Sequence, residues 1–256
     1  MNHQRFRFAS KIAGWHLLVS ATVAALMAYL VFKVWYPYPF RQITDGTSIY
    51  LLLITVDVIC GPVLTFISAS PNKSKREMAT DLSLIGLVQM AAFIYGLQTV
   101  AVVRPVVMAF EADRFYTATA VQFENVDTAT FQKAPAGLQT LSWTGVRKAA
   151  VRPLVDEDKK LNQELWLIGK RPAVRPDWWI PYDNAKKDIQ AAMKPIDELM
   201  QRKPQFRAKI EAEIQKQQLN NETLFYLPFT SESNQDWIVL MDKETTFKAF
   251  VGVDAF

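Results

Sequence analysis

The stretch IYLLLITVDVICGPVLTFISA, residues 49–69, decides the fold of this chain. A helix of about 20 residues rises roughly 30 Å, which is the thickness of the hydrocarbon core of a bilayer. Two other apolar stretches of similar length lie on either side of it, at residues 12–34 and 82–103. The sequence therefore predicts a unit of three transmembrane helices over residues 1–104, followed by a separate domain over residues 105–256.

The basic residues around these helices predict their orientation. Three precede the first helix and three lie between the second and third, namely Arg5, Arg7, Lys11, Lys73, Lys75 and Arg76. The loop between the first and second helices contains Arg41, and Lys33 stands near the end of the first helix. Because short loops rich in Lys and Arg stay in the cytoplasm, we expect a cytoplasmic N-terminus. Three crossings then place residues 105–256 outside, in the periplasm of a bacterium.

The composition argues against nucleic-acid binding, metal binding and nucleophilic catalysis. Residues 1–103 contain eight Lys or Arg and four Asp or Glu, so the net charge of +4 lies entirely in the membrane half. Cys60 is the single cysteine and the only histidines are His3 and His16, so the C-terminal domain can form neither a disulfide nor a histidine-based site. A domain without cystines favours a bacterial periplasm over eukaryotic secretion. No phosphate-binding loop or nucleophile elbow occurs, and we expect no enzyme activity and no cofactor.

Asp57 breaks the apolar pattern of the second helix. A charged Asp at the bilayer centre costs about 2.5–3.5 kcal/mol on insertion scales, so a compensating interaction is expected. Tyr29 and Tyr95 lie at matching depth in the other helices and are its expected neighbours. Asp57 is either protonated and hydrogen-bonded to a neighbouring helix, or a polar contact for the transmembrane helix of another protein. Gly61 and Pro62 should kink the helix nearby, which makes either a docking notch or a packing feature.

Residues 105–256 predict an α+β domain with a mainly antiparallel sheet. Strand-like segments occur at residues 104–110, 115–123, 224–229, 237–241 and 246–253, with turns at residues 111–114 and 242–245. Helical periodicity begins near Asn184, which can cap a helix, and Pro195 interrupts it, so a kink or a restart is expected there. Pro204 suits the first turn of a following helix. Residues 125–160 are polar and irregular, and residues 161–169 fit a short strand or a short helix equally well.

A proline-rich stretch at residues 170–181 predicts a loop that carries Trp178 and Trp179. Two adjacent tryptophans in a loop can form a recognition patch for another protein. More often such side chains cap a core beneath the loop. The sequence leaves both interpretations open.

Several short motifs are characteristic of a known family. They are FKVWYP at residues 32–37, VDV at 56–58, GPVLT at 61–65, DLSLI at 81–85, YG at 95–96, RPV at 104–106, FEADRF at 110–115 and DWIVLMD at 236–242. The chain resembles the type IV pilin accessory proteins of the TfpX/TfpZ type. The likeness is strong over residues 10–115 and covers residues 125–220 in outline only.

The resemblance implies a non-enzymatic inner-membrane protein that binds a cognate type IV pilin, stabilises it and promotes pilus assembly. On this hypothesis the pilin's membrane helix contacts Asp57, Gly61, Pro62, Tyr29 and Tyr95. The pilin's globular head is expected to contact Trp178 and Trp179.

Two other classes of protein remain as alternatives. A membrane-anchored periplasmic sensor or scaffold would bind a small ligand or an envelope component such as peptidoglycan. The loop at residues 70–81 is too short for a cytoplasmic output domain, which counts against signalling. A membrane enzyme would need polar side chains that converge on a cavity, and the three helices contain few of them.

Overall fold

The structure is a computed structural model that describes residues 3–44 and 46–256. Contacts divide the chain into two compact units. The membrane unit comprises the described residues 3–37 and 46–103, and the C-terminal unit comprises residues 38–44 and 104–256. The C-terminal unit differs from the predicted domain, because the seven residues 38–44, which lie between the first two spans in the chain, also belong to it.

The membrane unit contains three spans whose length and apolar composition suffice to cross a membrane, which confirms the three predicted apolar helices. The first span, His3–Trp35, consists of α1 (His3–Tyr29) and a π-helical end, Leu30–Trp35; a short helix α2 (Phe40–Ile43) follows it in the chain. The second span, Gly46–Ser68, consists of α3 (Gly46–Thr55), a π-helical turn at Val56–Cys60 and α4 (Gly61–Ser68). The third span is α5 (Lys75–Val102). All three are continuous helices because inside a bilayer each backbone polar group needs a partner within the protein.

A small packed cluster holds the spans together at one end. Val31, Tyr36, Tyr50 and Val100 are its fully buried members. The hydroxyl of Tyr36 donates to the carbonyl of Val100 over 2.7 Å, which joins the chain just after the first span to the third. At the opposite end Ser74 and Glu77 form a capping box that starts α5.

The C-terminal unit is built on one mixed sheet. Its strands are β1 (Pro105–Glu111), β2 (Arg114–Thr119), β3 (Arg147–Val151), β4 (Trp179–Pro181), β5 (Lys194–Pro195), β6 (Phe225–Ser231), β7 (Trp237–Met241) and β8 (Phe247–Val251). The order is β4-β3-β1-β2-β6-β7-β8, and β5 also pairs with β6. Most pairings are antiparallel as predicted, but β1 with β3 and β2 with β6 are parallel. The two strands of each parallel pair are joined by a long crossover connection. A prediction built from hairpins, which join antiparallel strands, does not include such pairs.

Five helices of the C-terminal unit lie between the strands in the chain. They are α6 (Thr128–Gln132), α7 (Asp158–Leu167), α8 (Lys186–Ala192), α9 (Ile196–Arg202) and α10 (Arg207–Lys216). The ambiguous stretch at residues 161–169 is therefore a helix. Residues 125–160, which look irregular in sequence, contain α6 and β3. As predicted, the helical run restarts after Pro195, at α9, and Pro204 begins the turn that leads into α10. The prediction that Asn184 caps a helix is wrong, because it lies in a 3-10 turn and Ala185 takes the N-cap position of α8.

Residues 38–44, called the inserted segment below, complete the core of the C-terminal unit. Ile43 is 1% exposed and belongs to the same cluster as Phe229. The ring of Phe40 packs edge-on against that of Phe229, with 5.9 Å between centroids. The hydroxyl of Ser231 donates to the carbonyl of Ile43 over 2.5 Å. The inserted segment therefore folds as part of the same unit as residues 104–256.

Candidate functional site

A cavity of about 260 Å³, mainly apolar but with four polar residues in its lining, lies in the membrane unit. Its polar side chains come from all three spans, since His16 and Ser20 belong to the first, Asp57 to the second and Gln89 to the third. The remaining wall is apolar or small and consists of Val19, Val23, Ala24, Ile54, Gly86, Met90 and Phe93. Polar groups that converge within a transmembrane bundle mark a functional site by default, because their placement there is costly.

The π-helical turn of the second span accounts for the position of Gln89. In a π-helix each carbonyl accepts from the N–H five residues further on, so the carbonyl of Asp57 would need the N–H of residue 62. Pro62 has no N–H. Gln89 supplies the missing donor from the third span, since its Nε2 donates to the carbonyl oxygen of Asp57 over 3.2 Å. The spacing of Asp57 and Pro62 can be read from the sequence, but the sequence does not indicate that Gln89 supplies the missing donor.

Two acceptors of the cavity have no partner within the described part of the chain. Oδ1 of Asp57 and Oε1 of Gln89 are buried and make no hydrogen bond. The amide of Gln89 has a fixed orientation because its Nε2 faces a carbonyl, which only accepts, so Oε1 is the acceptor. His16 is different, because its Nδ1 forms a 2.6 Å hydrogen bond with Oγ1 of Thr65. A buried acceptor without a donor costs about 1–3 kcal/mol, so a group that donates to these oxygens would bind favourably.

Gly61 permits the close approach of Gln89 to the second span. A methyl group at Gly61 would overlap the amide of Gln89. We expect Gly61→Ala to displace the amide from the carbonyl of Asp57 and to destabilise the detergent-solubilised protein by about 1–3 kcal/mol, measured as a lower melting temperature. Gly14→Ala is the matched control, because a methyl group there meets nothing within 4 Å. Equal melting temperatures for the two variants would contradict this role of Gly61.

The residues predicted to contact the pilin's membrane helix do not all lie together: two lie beside Asp57 and two lie outside the cavity. Gly61 and Pro62 are buried beside Asp57 in the second span. Tyr29 and Tyr95 are 69% and 73% exposed and lie outside the cavity lining, so the expectation that they neighbour Asp57 is wrong. A contact between these residues and a pilin helix stays a prediction.

The error about the tyrosines comes from the start of the second span. The helix begins at Gly46, before the apolar stretch that starts at residue 49. Asp57 therefore lies deeper in the unit than its distance from residue 49 suggests, at the level of His16, Ser20 and Gln89. Histidine and glutamine are weak signals in an apolar stretch, which is why the sequence alone favours the tyrosines.

The tryptophan pair forms part of the core of the C-terminal unit. Trp178 is 2% exposed and Trp179 is 5% exposed. The indole Nε1 of Trp179 donates to the carbonyl of Ala173 over 2.9 Å, and its ring packs against Phe123 with 5.7 Å between centroids. The structure therefore agrees with the interpretation that the two tryptophans cap a core. These side chains offer no surface patch for a pilin head, because the sheet and its covering turns already bury them.

Other side chains provide the exposed apolar surface of the C-terminal unit. The large ones are Tyr38, Trp143, Val155, Trp166, Leu167, Ile168 and Phe256. Trp166, Leu167 and Ile168 are consecutive, with 52%, 86% and 68% of their surfaces exposed. Contiguous apolar exposure of this kind is typical of a protein contact surface. The apolar stretch LWLIG can be read from the sequence. Because a strand and a helix fit it equally well, the sequence does not indicate which of its side chains are exposed.

A buried ion pair supports this exposed surface from beneath. Glu111 is 5% exposed and accepts from Nε of Arg171 over 2.7 Å and from the N–H of Ala173 over 3.1 Å. The guanidinium of Arg171 also lies over the ring of Trp166, 4.2 Å from its centroid. Burial raises the pKa of Glu111 above the usual value of a glutamate, while Arg171 and the N–H of Ala173 oppose the rise. Burial likewise raises the pKa of Tyr116, to about 12.

The C-terminal unit also has a larger and more open groove, with a volume of about 610 Å³. Its charged lining has both signs and consists of Arg147, Lys148, Asp183, Lys186 and Glu244. Asp183 and Lys186 pair with each other over 2.7 Å at the surface. Mixed, solvent-exposed charges select no particular ligand, so the cavity of the membrane unit is the stronger candidate site. Among the described residues no group of three or more potential metal ligands occurs.

Comparison with known proteins identifies the family. A family model described as "Fimbrial assembly protein FimB" matches residues 4–45, which include the inserted segment. A fimbrial assembly protein of serogroup I from Dichelobacter nodosus is 35% identical over 261 residues, which cover all of this chain and 99% of the relative. The chain therefore belongs to the family of fimbrial assembly proteins, and it takes part in the assembly of fimbriae.

Two further relatives from the same organism agree with this assignment. The fimbrial assembly protein of serogroup E1 is 35% identical over 262 residues, again across all of this chain and 99% of the relative. That of serogroups C1 and C2 is 50% identical over 113 residues, which cover 44% of this chain and 86% of the relative. No solved structure matches the chain at a significant level. The family assignment agrees with the resemblance to pilin accessory proteins.

Proposed function

We propose that this protein is a non-enzymatic assembly factor of the bacterial inner membrane that binds a type IV pilin before the pilin enters the fimbria. In this proposal the C-terminal unit lies in the periplasm, on the side that the basic residues around the spans indicate. The pilin is held in the membrane by the three spans and is protected there until it is assembled. The family membership supports a role in assembly, and the membrane cavity supports the mode of binding.

The observation that carries the proposal is the pair of unpartnered acceptors, Asp57 Oδ1 and Gln89 Oε1, between the spans. A passive anchor has no need of an acid at mid-membrane, and such residues are rare in transmembrane segments. The spans are also thinly covered by one another, since only 6–17% of the residues in their most apolar windows are buried. Both features favour a bundle that accepts another helix, because helix association in lipid depends on close packing and interhelical hydrogen bonds.

The C-terminal unit is proposed to hold the globular head of the pilin. Trp166, Leu167 and Ile168 replace Trp178 and Trp179 as the candidate contact, because they are the exposed apolar residues that adjoin one another. The ion pair of Glu111 and Arg171 fixes this surface to β1, so it is presented in one orientation. A rigid apolar surface binds with a smaller loss of conformational entropy than a mobile one.

Deletion of the gene tests the proposed function. We expect the cellular level of pilin and the number of surface fimbriae to fall at least several-fold, because unprotected subunits are degraded before assembly. Pilin is measured by immunoblot of membranes and fimbriae by electron microscopy. Complementation with the wild-type gene should restore both, and complementation with a Trp166→Ser, Leu167→Ser double variant should restore them only partly. Normal pilin and normal fimbriae in the deletion strain would overturn the proposal.

A further inference from the structure

We infer that the cavity of the membrane unit recognises a hydrogen-bond donor, a side-chain hydroxyl or amine, on the transmembrane helix of the pilin. This inference rests on the proposed function and specifies the chemistry of its membrane contact. Three features of the cavity support it: its two buried oxygens without a partner, its volume, and the small residues that let another helix approach.

The polarity of the free groups selects a donor. Oε1 of Gln89 is an acceptor because the contact of Nε2 with the carbonyl of Asp57 fixes the amide. Oδ1 of Asp57 is likewise buried and accepts no hydrogen bond. No Lys or Arg lines the cavity within the described chain, and neither oxygen accepts from His16, whose Nδ1 bonds to Thr65. A visiting carbonyl would bring only another acceptor and would leave both oxygens without a donor.

The size of the cavity selects a side chain over a single solvent molecule. Its volume of about 260 Å³ is several times the roughly 30 Å³ that one water occupies in the liquid. Most of the wall is apolar, and among its four polar residues only Asp57 and Gln89 have a buried oxygen without a partner. An apolar stem that ends in a hydroxyl or an amine matches this distribution, because the stem packs against the wall while its tip donates.

The small residues at the cavity allow another helix to come close. Ser20 and Ala24 lie one turn apart in the first span, and Gly86 faces the cavity from the third. A methyl group at Gly86 would meet nothing within 4 Å, so its surface is open to a partner and is not needed for packing inside the unit. Small residues at this spacing are typical of surfaces where transmembrane helices pack closely.

The first part of the test measures capture of pilin in intact membranes. The full chain is expressed with its pilin, and a photoreactive amino acid is placed at Val23, which lines the cavity. We expect crosslinked pilin in the wild-type background and about tenfold less with Asp57→Leu. The matched control is Thr55→Val, which removes an exposed hydroxyl from the same span two residues away and should leave capture unchanged.

The second part identifies the donor and guards against a general loss of folding. Each residue of the pilin's transmembrane helix that bears a hydroxyl or an amine is replaced by Leu, alone and together with Asp57→Leu. We expect one position whose replacement lowers capture by the wild type several-fold but has no further effect on Asp57→Leu, because the two changes break one interaction. Additive effects at every position, or undiminished capture by Asp57→Leu, would overturn the inference while leaving the proposed function intact. An absence of crosslinked pilin with the wild type would instead refute the proposed function.

Discussion

Replacing Ile43 by Asp is expected to unfold the C-terminal unit, although residue 43 lies between the first two spans and far from that unit in sequence. Ile43 is 1% exposed in the cluster that contains Phe115 and Phe229. Loss of a buried isoleucine side chain costs about 2–5 kcal/mol, and a buried unpaired carboxylate adds to that cost. The total approaches the whole stability of an ordinary domain, about 5–15 kcal/mol. The measurement is the melting temperature of the detergent-solubilised protein, followed by its tryptophan fluorescence.

Gln42→Asp is the matched control for this variant. It introduces the same charge one residue earlier, at an exposed position of the same helix, α2. We expect its melting temperature to equal that of the wild type, while Ile43→Asp gives protein that trypsin cleaves rapidly within residues 104–256. Equal melting temperatures for the two variants would show that the inserted segment is not part of the folded core.

The same contact shows where sequence reasoning about this chain succeeds and where it stops. The spans and the hairpin of β7 and β8 depend on local patterns, namely apolar length and a turn between two β-rich segments, and both are confirmed. The docking of Ile43 against Phe229 joins residues nearly two hundred positions apart. No local sequence pattern predicts such a contact. The short helix α2 follows two prolines, and its sequence is typical of an ordinary loop.

The candidate site was predictable to a similar extent. Asp57 is conspicuous because a carboxylate in an apolar helix is costly, and Gly61 and Pro62 are conspicuous as helix breakers. Gln89 is an unremarkable residue in its own helix, and its role depends on which carbonyl the π-helical turn leaves without a donor. Apolar length alone underestimates the depth of Asp57, because the helix begins at Gly46, before the apolar stretch.

The second large effect is expected from Arg171→Leu. The substitution leaves the carboxylate of Glu111 buried with only the N–H of Ala173 as a donor. Breaking a buried ion pair from one side costs about 3–5 kcal/mol, because an uncompensated charge remains. Trp166 also loses the cation over its ring. We expect a correspondingly lower free energy of unfolding for the full chain, measured by chemical denaturation at neutral pH.

Two further variants separate the buried charge from the lost packing. Arg207→Leu removes a guanidinium that lies 3.9 Å from the carboxylate of Glu211, with side chains 51% and 42% exposed, and should cost less than about 1 kcal/mol. The double variant Glu111→Leu, Arg171→Leu removes both buried charges and should regain much of the stability that Arg171→Leu loses. A double variant no more stable than Arg171→Leu would mean that the arginine acts through packing against Trp166 and not through Glu111.

The pH dependence of Arg171→Leu gives an independent test of the same argument. Burial raises the pKa of Glu111, and Arg171 is the main group that opposes the rise, so its removal raises the pKa of the folded state further above the unfolded value. Between those two pKa values the folded state binds more protons than the unfolded state, and stability then falls as pH increases. The deficit of the variant relative to the wild type should therefore be small below the unfolded pKa of glutamate, about 4.3, and grow as pH rises. A deficit that is constant between pH 4 and pH 8 would show that the charge on Glu111 does not cause the instability.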